Sequence, residues 1–282
     1  MTTSLPDAKT IPKTAPTSRQ LKSRGNGGMS PGVTLLWQIA VLAAVLLIWQ
    51  SFSVLGIGRP VVVQSPGNVA VRLYELMATG ELWPNLWSTL SAVFMALGLS
   101  MLIGIPLGLI LGMLPRVRRV LAPFISALNA TPRVALAPVF IILFGLDTEG
   151  KVALAFTIVV FMLLVNSEAG AMAADPELLR LMATLGTPKY QVITKVVLPA
   201  AVPSILAGVR LGLIYSLLGV VTSELIAAES GVGQMIARAA GVFDLATVYA
   251  IIVVLMVIAA VLNMLTEGLE RRLLRWQPPA TR

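Results

Sequence analysis

Six stretches of the chain are long and apolar enough to cross the hydrocarbon core of a bilayer, which takes about 20 helical residues. They lie near 33–55, 87–114, 121–145, 151–167, 203–228 and 244–266. The third stretch contains Pro123, Pro132 and Pro138, so we expect it to be bent or interrupted, with the freed backbone groups covered by other helices. The pattern predicts an all-α, polytopic membrane protein.

Polar segments around these stretches indicate the domain limits. Residues 1–32 are rich in Thr, Pro, Ser, Lys and Gly and have no apolar period, which predicts a disordered tail. Residues 33–270 form the predicted six-span domain, and residues 271–282 form a short C-terminal tail. Within 56–86, the sequence VAVRLYELMATGEL is amphipathic and predicts a short helix along the membrane interface.

Composition narrows the class of protein. The 282 residues are 57% hydrophobic and only 12% charged. Because a soluble domain has about 25% charged residues, a soluble domain is excluded. The sequence has no cysteine and no histidine, which excludes disulfides, thiolate metal sites and histidine-based catalysis. We therefore expect no metal site and no catalytic residue in this chain.

The basic residues predict the orientation in the membrane. Of the 21 Lys and Arg residues, 17 fall in the tail, the C-terminus and one set of alternate loops. Arg133 is counted among these 17, in the loop between the second and third stretches. The opposite side has Arg59, Arg72, Lys151 and Arg238. By the positive-inside rule, both termini are predicted to be cytoplasmic.

Small residues recur at every fourth position of the second stretch. They are Ser88, Ala92, Ala96, Ser100, Gly104, Gly108 and Gly112. Such a row forms a ridge on which a second helix can approach closely, and close packing drives helix association where lipid offers no hydrophobic advantage. The row predicts tight helix packing and carries no information about a substrate.

The partly polar segment Asn166 to Pro203 connects the fourth and fifth stretches. Asp175 is a favourable N-cap and Pro176 suits the first turn of a helix that Gly186 is expected to end. The apolar face of this helix is formed by Leu178, Leu181, Met182 and Leu185.

A second helix is expected to follow directly. Thr187 and Pro188 repeat the order of cap and proline, and Pro199 is expected to stop the helix. The result is a helix–glycine–helix elbow over residues 168–202. The residues alone leave two interpretations open: a hairpin tucked under the membrane domain, or a docking element for a soluble partner.

The run from ADPELL to GVGQMI resembles the inner-membrane permeases of binding-protein-dependent ABC importers, and within them the aliphatic sulfonate, taurine and nitrate permeases. The family signature is Glu-Ala-Ala, a glycine four residues on, and Ile-x-Leu-Pro after nine more. Gly186, Leu198 and Pro199 match it, and Val196 occupies the isoleucine position. Residues 180–182 depart from it, since they read Arg-Leu-Met.

The resemblance implies a type I importer transmembrane domain in the bacterial inner membrane. A second copy, a cytoplasmic ATPase dimer and an external solute-binding protein would complete the importer. ATP and Mg would bind to the ATPase, and this chain would not be an enzyme. The expected solute is a small anion such as an aliphatic sulfonate, taurine or nitrate. The alternatives are import of a heterocyclic vitamin precursor and, less favoured, proton-coupled secondary transport.

The resemblance also makes the elbow the element that couples to the ATPase. The coupling residues it implies are Asp175, Pro176, Glu177, Leu178, Arg180, Leu181, Met182, Leu185, Gly186, Thr187, Pro188 and Lys189.

Polar residues inside apolar spans are costly, so they are candidates for the translocation path. They are Asn129, Thr131, Asn166, Ser216, Thr222 and Glu224. Glu224 is the only carboxylate well inside a predicted span, and the sequence offers it no evident basic partner. A role in the path and a structural role near the outer surface both stay open for this residue.

Overall fold

The computed structural model describes residues 31–55 and 64–275. Residues 1–30, 56–63 and 276–282 lie outside the described residues, and with them most of the predicted N-terminal tail and the end of the C-terminal tail. Contacts divide the chain into two units between Ile48 and Trp49. The first unit is described by helix α1, Pro31–Val54, an uninterrupted apolar helix whose last turns belong to the second unit.

The other described residues of the second unit form mainly helices. Its helices are α2 (Pro66–Ala78), α3 (Leu82–Met113), α4 (Pro115–Ala130), α5 (Ala137–Phe144), α6 (Thr148–Met172), α7 (Pro176–Thr184), α8 (Lys189–Val192), α9 (Leu198–Ile226), α10 (Val232–Gly241) and α11 (Leu245–Leu273). Among the described residues, five helices are long and apolar enough to cross a membrane, and α4 with α5 makes a sixth if the bent pair is one span. The helix predicted between the first two stretches is confirmed as α2.

The predicted interruption of the third span is confirmed, and it lies at Pro132. The two halves of the span bend by 77° at this break. Thr131 takes an extended conformation, with φ −66° and ψ 131°, because a residue before proline is driven out of the helical region. A 3-10 turn, Arg133–Leu136, then leads into α5.

The small residues of α3 face α6 along its length. A Cβ atom on Gly104 would lie 2.7 Å from the carbonyl oxygen of Val160, and one on Gly112 would lie 2.8 Å from that of Glu168. The two backbones therefore touch, which confirms the packing predicted from the row. The core where α3, α6 and α9 meet includes Val93, Ala96, Leu97, Val159, Leu163, Leu213, Leu217 and Val220.

The first helix of the elbow forms as predicted. The Asp175 carboxylate accepts the Glu177 N–H at 2.8 Å, and Pro176 lies in the first turn of α7. Gly186 has φ +65°, and the Thr187 N–H bonds back to the Met182 carbonyl oxygen at 3.0 Å. This is the left-handed glycine ending that spares a side chain the steric cost of positive φ.

The second helix of the elbow differs from the prediction. The Thr187 hydroxyl contacts the Met182 sulfur at 3.5 Å, and Pro188 is the N-cap residue without a side-chain bond. Pro199 does not stop the helix, which runs without interruption from Lys189 to Ile226. A π-helical turn over Ile193–Val197 explains this, since its wider ladder accommodates a proline at the start of α9.

Two glycine substitutions in α3 test the backbone contact. In Gly108→Ala, the new Cβ would overlap the Leu164 carbonyl oxygen and lie 2.7 Å from the Ser167 Cβ. We expect the free energy of unfolding to fall by about 1–3 kcal/mol, the usual effect of overpacking. Thermal or denaturant unfolding of the purified protein in nanodiscs measures this change.

Gly98→Ala in the same helix is the matched control, because its Cβ would meet nothing within 4 Å. We expect this variant to be as stable as the parent or more stable by about 0.5–1 kcal/mol, since alanine favours a helix over glycine. Equal stability of the two variants would contradict the close contact of α3 with α6.

Candidate functional site

The elbow has one supported face and one exposed face. Leu179 of α7 and Val192 of α8 pack against a small core formed by Ala171, Ala174 and Val197. On the outer face, Leu178, Leu181, Leu185 and Tyr190 are 47%, 54%, 70% and 65% exposed. One face of the elbow is thus packed against this small core, and the other face presents apolar side chains outward.

The predicted coupling residues lie on this elbow, and most of them are exposed. Met182 and Thr187 are half-buried and contact each other, whereas the other residues of the set are exposed. Glu177 and Arg180 form no ion pair with any described residue. Arg180, the charged residue that departs from the family signature, therefore has no ion-pair partner in the described part of the chain.

A cavity of about 300 Å³ lies beside the break in the third span. It is lined by Asn129, Arg133, Ile158, Phe161, Met162, Val165, Asn166 and Tyr215. We call it the break cavity. It brings together two of the predicted path residues, Asn129 and Asn166, from α4 and α6. Arg133 and Tyr215 join them, and sequence reasoning did not single out either as a path residue.

Arg133 lies inside the membrane domain. Its Nη1 donates to the Ile158 carbonyl oxygen at 2.8 Å, its Nη2 donates to Asn129 Oδ1 at 2.8 Å, and its guanidinium lies 4.9 Å from the centroid of the Phe161 ring. Ile158 is near the middle of α6, which runs from residue 148 to 172. The assignment of Arg133 to a loop is therefore wrong, because the break at Pro132 turns the chain back against α6.

The other uncharged path candidates do not line the break cavity. Ser216 is fully buried and donates to the Val93 carbonyl oxygen at 2.8 Å, which ties α9 to α3. Thr222 donates to the Leu218 carbonyl oxygen in its own helix, and Thr131, directly after α4, donates to the Ala127 carbonyl oxygen. These contacts satisfy the hydroxyls locally.

Glu224 has a basic partner that sequence reasoning missed. The Lys151 Nζ lies 3.1 Å from Glu224 Oε1, and the two side chains are 2% and 0% exposed. Thr89 also donates to the Glu224 carboxylate at 2.9 Å, as does the Gly233 N–H. Lys151 stands at the start of an apolar stretch, and counting it as a loop residue concealed the pair.

The remaining donors of Lys151 are also used. Its Nζ donates to the Ser230 carbonyl oxygen at 2.6 Å and to the Ser88 hydroxyl at 2.9 Å. We call this group the Lys151–Glu224 cluster. It joins α3, α6, α9 and the turn before α10, where Gly231 has φ +116°. An ammonium has three donors, and all three have acceptors here, so the cluster is a closed structural unit.

A second polar link lies near the start of α11. Arg72 of α2 donates to the Thr247 hydroxyl at 2.7 Å and lies 3.8 Å from Asp244. Burial acts to raise the pKa of the Asp244 carboxyl, but two hydrogen bonds from Thr247 and the charge of Arg72 outweigh it and lower that pKa. The carboxylate thus favours the folded state above its unfolded pKa and loses this effect as the pH falls through the lowered value.

Comparison with known proteins identifies the family. A family model described as the inner membrane component of binding-protein-dependent transport systems matches residues 104–275, which is more than half of the chain. The chain belongs to this family. The match covers the bent span, the elbow and the last two spans, and it confirms the resemblance drawn from the elbow sequence. Members of the family are inner-membrane transport components.

Three relatives span most of the chain. The putative aliphatic sulfonates transport permease protein SsuC of Bacillus subtilis is 31% identical over 96% of this chain and 96% of its own. The riboflavin transport system permease protein RibX of Chloroflexus aurantiacus is 34% identical over 84% and 88%. The taurine transport system permease protein TauC of Escherichia coli is 32% identical over 92% and 94%.

The fold is similar to that of solved importer structures. A chain of the inward-facing MetNI methionine ABC transporter aligns with a TM-score of 0.61 at 16% identity, over 68% of this chain and 95% of that one. This likeness confirms the predicted transmembrane-domain fold of an ABC importer.

The Lys151–Glu224 cluster predicts how stability responds to charge removal. Lys151→Met leaves a buried carboxylate without its counter-charge, and this should lower the free energy of unfolding by about 3–5 kcal/mol. Adding Glu224→Gln removes the second charge and keeps an oxygen that accepts from Thr89 and Gly233, so most of the loss should be recovered. Unfolding in nanodiscs measures both variants.

Arg271→Met is the control, because it breaks an exposed ion pair. The side chains of Arg271 and Glu267 are 77% and 38% exposed. We expect a change of about 0–1 kcal/mol for this exposed pair. If Lys151→Met were as stable as Arg271→Met, the buried pair would not contribute to the free energy of unfolding.

Proposed function

We propose that this chain is the permease subunit of an ATP-driven, binding-protein-dependent importer that moves a small anion, such as an aliphatic sulfonate, taurine or nitrate, across the inner membrane. Two copies would form the translocation path. A cytoplasmic ATPase dimer, which binds ATP and Mg, would contact the elbow, and an external solute-binding protein would deliver the solute to the opposite end. The observation that carries this proposal is the single helix that joins the elbow to the fifth span.

Motion of the elbow would pass directly into the membrane domain. A partner that contacts Leu181 and Leu185 would move α7, and the turn at Gly186 holds α7 to α8. The helix that begins at Lys189 continues to Ile226, so it has no flexible joint at which displacement would be lost. Rocking of such helices about a central site is the mechanism of alternating access.

The features at the two ends of the membrane domain support contact with the ATPase at one end and delivery of the solute at the other. At one end, the exposed apolar face of the elbow is available to a soluble partner. At the other, the Lys151–Glu224 cluster binds α10 to the ends of α3, α6 and α9. The basic residues Arg180, Lys189 and Lys195 of the elbow segment support a cytoplasmic position for it by the positive-inside rule.

A small anion is the solute class that the chain supports best. Two of the three relatives are named for sulfonates and taurine, both of which carry an anionic sulfonate group. The break cavity holds the cation of Arg133 without a described carboxylate beside it. The similarity to a riboflavin permease supports a second candidate, a heterocyclic vitamin precursor.

Substitution of Gly186 tests the coupling role. A β-branched residue resists φ +65°, so Gly186→Val should distort the joint between α7 and α8, at a steric cost of about 1–2 kcal/mol. We expect uptake in proteoliposomes containing the whole importer to fall about tenfold while ATP hydrolysis continues, since a cost near 1.4 kcal/mol corresponds to that factor. Uptake of labelled taurine and phosphate release are measured on the same vesicles.

Gly186→Asn is the matched control, because asparagine tolerates the left-handed conformation and a Cβ at this position meets nothing within 4 Å. This variant should keep most of the parental uptake. Parental uptake by Gly186→Val would contradict the coupling role, and a parent importer that takes up solute without ATP would contradict the proposed function itself.

A further inference from the structure

We infer that Arg133, held by Asn129, binds the oxyanion group of the solute as it passes the break cavity. This inference rests on the proposed function and names the residue that recognises the anionic group of the solute. The expected ligand is a small molecule with a sulfonate or similar oxyanion, because these groups offer several oxygens to one guanidinium.

Arg133 differs from the other basic side chains that lie between described helices. Arg118 pairs with Glu168 at 2.7 Å, Lys151 with Glu224 at 3.1 Å, and Arg210 with Glu270 at 3.7 Å. No described carboxylate forms an ion pair with Arg133, whose partners are a carbonyl, an amide and a ring. A charge at the depth of mid-α6 is expensive unless it pairs or serves a pathway.

The known contacts of Arg133 orient its guanidinium and leave donors for a ligand. A guanidinium has five N–H donors in a planar fork. Two of them are used by Ile158 and Asn129, and the Phe161 ring lies against the group. The fork is thereby fixed before a solute arrives, and such preorganisation reduces the cost of binding.

The size and position of the cavity fit a small solute. Its volume of about 300 Å³ is at the lower end of the range for ligand pockets. Irregular backbone at membrane depth occurs where it lines a cavity, and broken helices of transporters bind their substrates at such points. The break at Pro132, which turns Arg133 toward α6, has this form.

A purely structural role for Arg133 makes a different prediction, and Asn129 separates the two. Asn129→Asp would put a carboxylate oxygen where Oδ1 now lies, 2.8 Å from Arg133 Nη2. The hydrogen bond would become an ion pair, which preserves or strengthens the local structure. An anion, however, would now have to compete with a fixed negative charge for Arg133.

The experiment uses the complete importer, with its ATPase and binding protein, in proteoliposomes. Uptake of labelled taurine and ATP hydrolysis are measured with saturating, solute-loaded binding protein. For Asn129→Asp and for Arg133→Met, we expect uptake to fall about tenfold or more while stimulated hydrolysis stays within about twofold of the parent. Arg133→Lys keeps the cation and should retain intermediate uptake.

Arg271→Met is the control for loss of an arginine, because its exposed side chain lies far along α11 and is not in the break cavity. Unfolding in nanodiscs verifies that Asn129→Asp is as stable as the parent, so the test holds even if Arg133→Met fails to insert. Uptake by Asn129→Asp within about twofold of the parent would overturn the inference.

Two results with the parent importer separate the inference from the proposed function. ATP hydrolysis without uptake of any solute would contradict the proposed function. ATP-driven uptake of an uncharged vitamin precursor, with no uptake of taurine, sulfonates or nitrate, would support an importer and overturn the anion site at Arg133.

Discussion

Direct contact between the backbones of α3 and α6 is the constraint on which the membrane domain depends. Lipid gives apolar helices no hydrophobic reason to associate, so they must gain from close packing. The small residues of α3 allow this, with Gly104 and Gly112 against carbonyl oxygens of α6. α6 is consequently held along its length, and it carries Lys151 near one end, Ile158 near the middle and Glu168 toward the other.

The charged side chains between these helices differ in their pairing according to their position along α6. At each end of α6 the charged side chains form an ion pair, Lys151 with Glu224 and Glu168 with Arg118. Between them, Arg133 is held by neutral groups only among the described residues. Permanent pairing stabilises the ends of the domain, whereas a cation with neutral partners keeps its electrostatic attraction for a mobile ligand.

Sequence patterns predicted the features that depend on local chemistry. The Asp175 cap, the glycine ending at Gly186 and an interruption of the proline-containing third span follow from neighbouring residues, and all three are present. The Lys151–Glu224 cluster and the depth of Arg133 depend on how distant helices meet, which a single sequence does not reveal. By the usual rule Pro199 predicts the end of a helix, but the π-helical turn before it removes the reason for a helix to stop there.

That π-helical turn also bears on the direction in which the elbow points. In an α-helix, each residue turns the chain by roughly 100° about the axis, and a widened turn takes up one residue more than a regular one. Deleting one residue within 193–197 would therefore restore a regular turn and leave Leu185 and Tyr190 at nearly the same angle about the axis of the fifth span. The widened turn thus holds a surplus residue without changing the azimuth of the partner-facing surface.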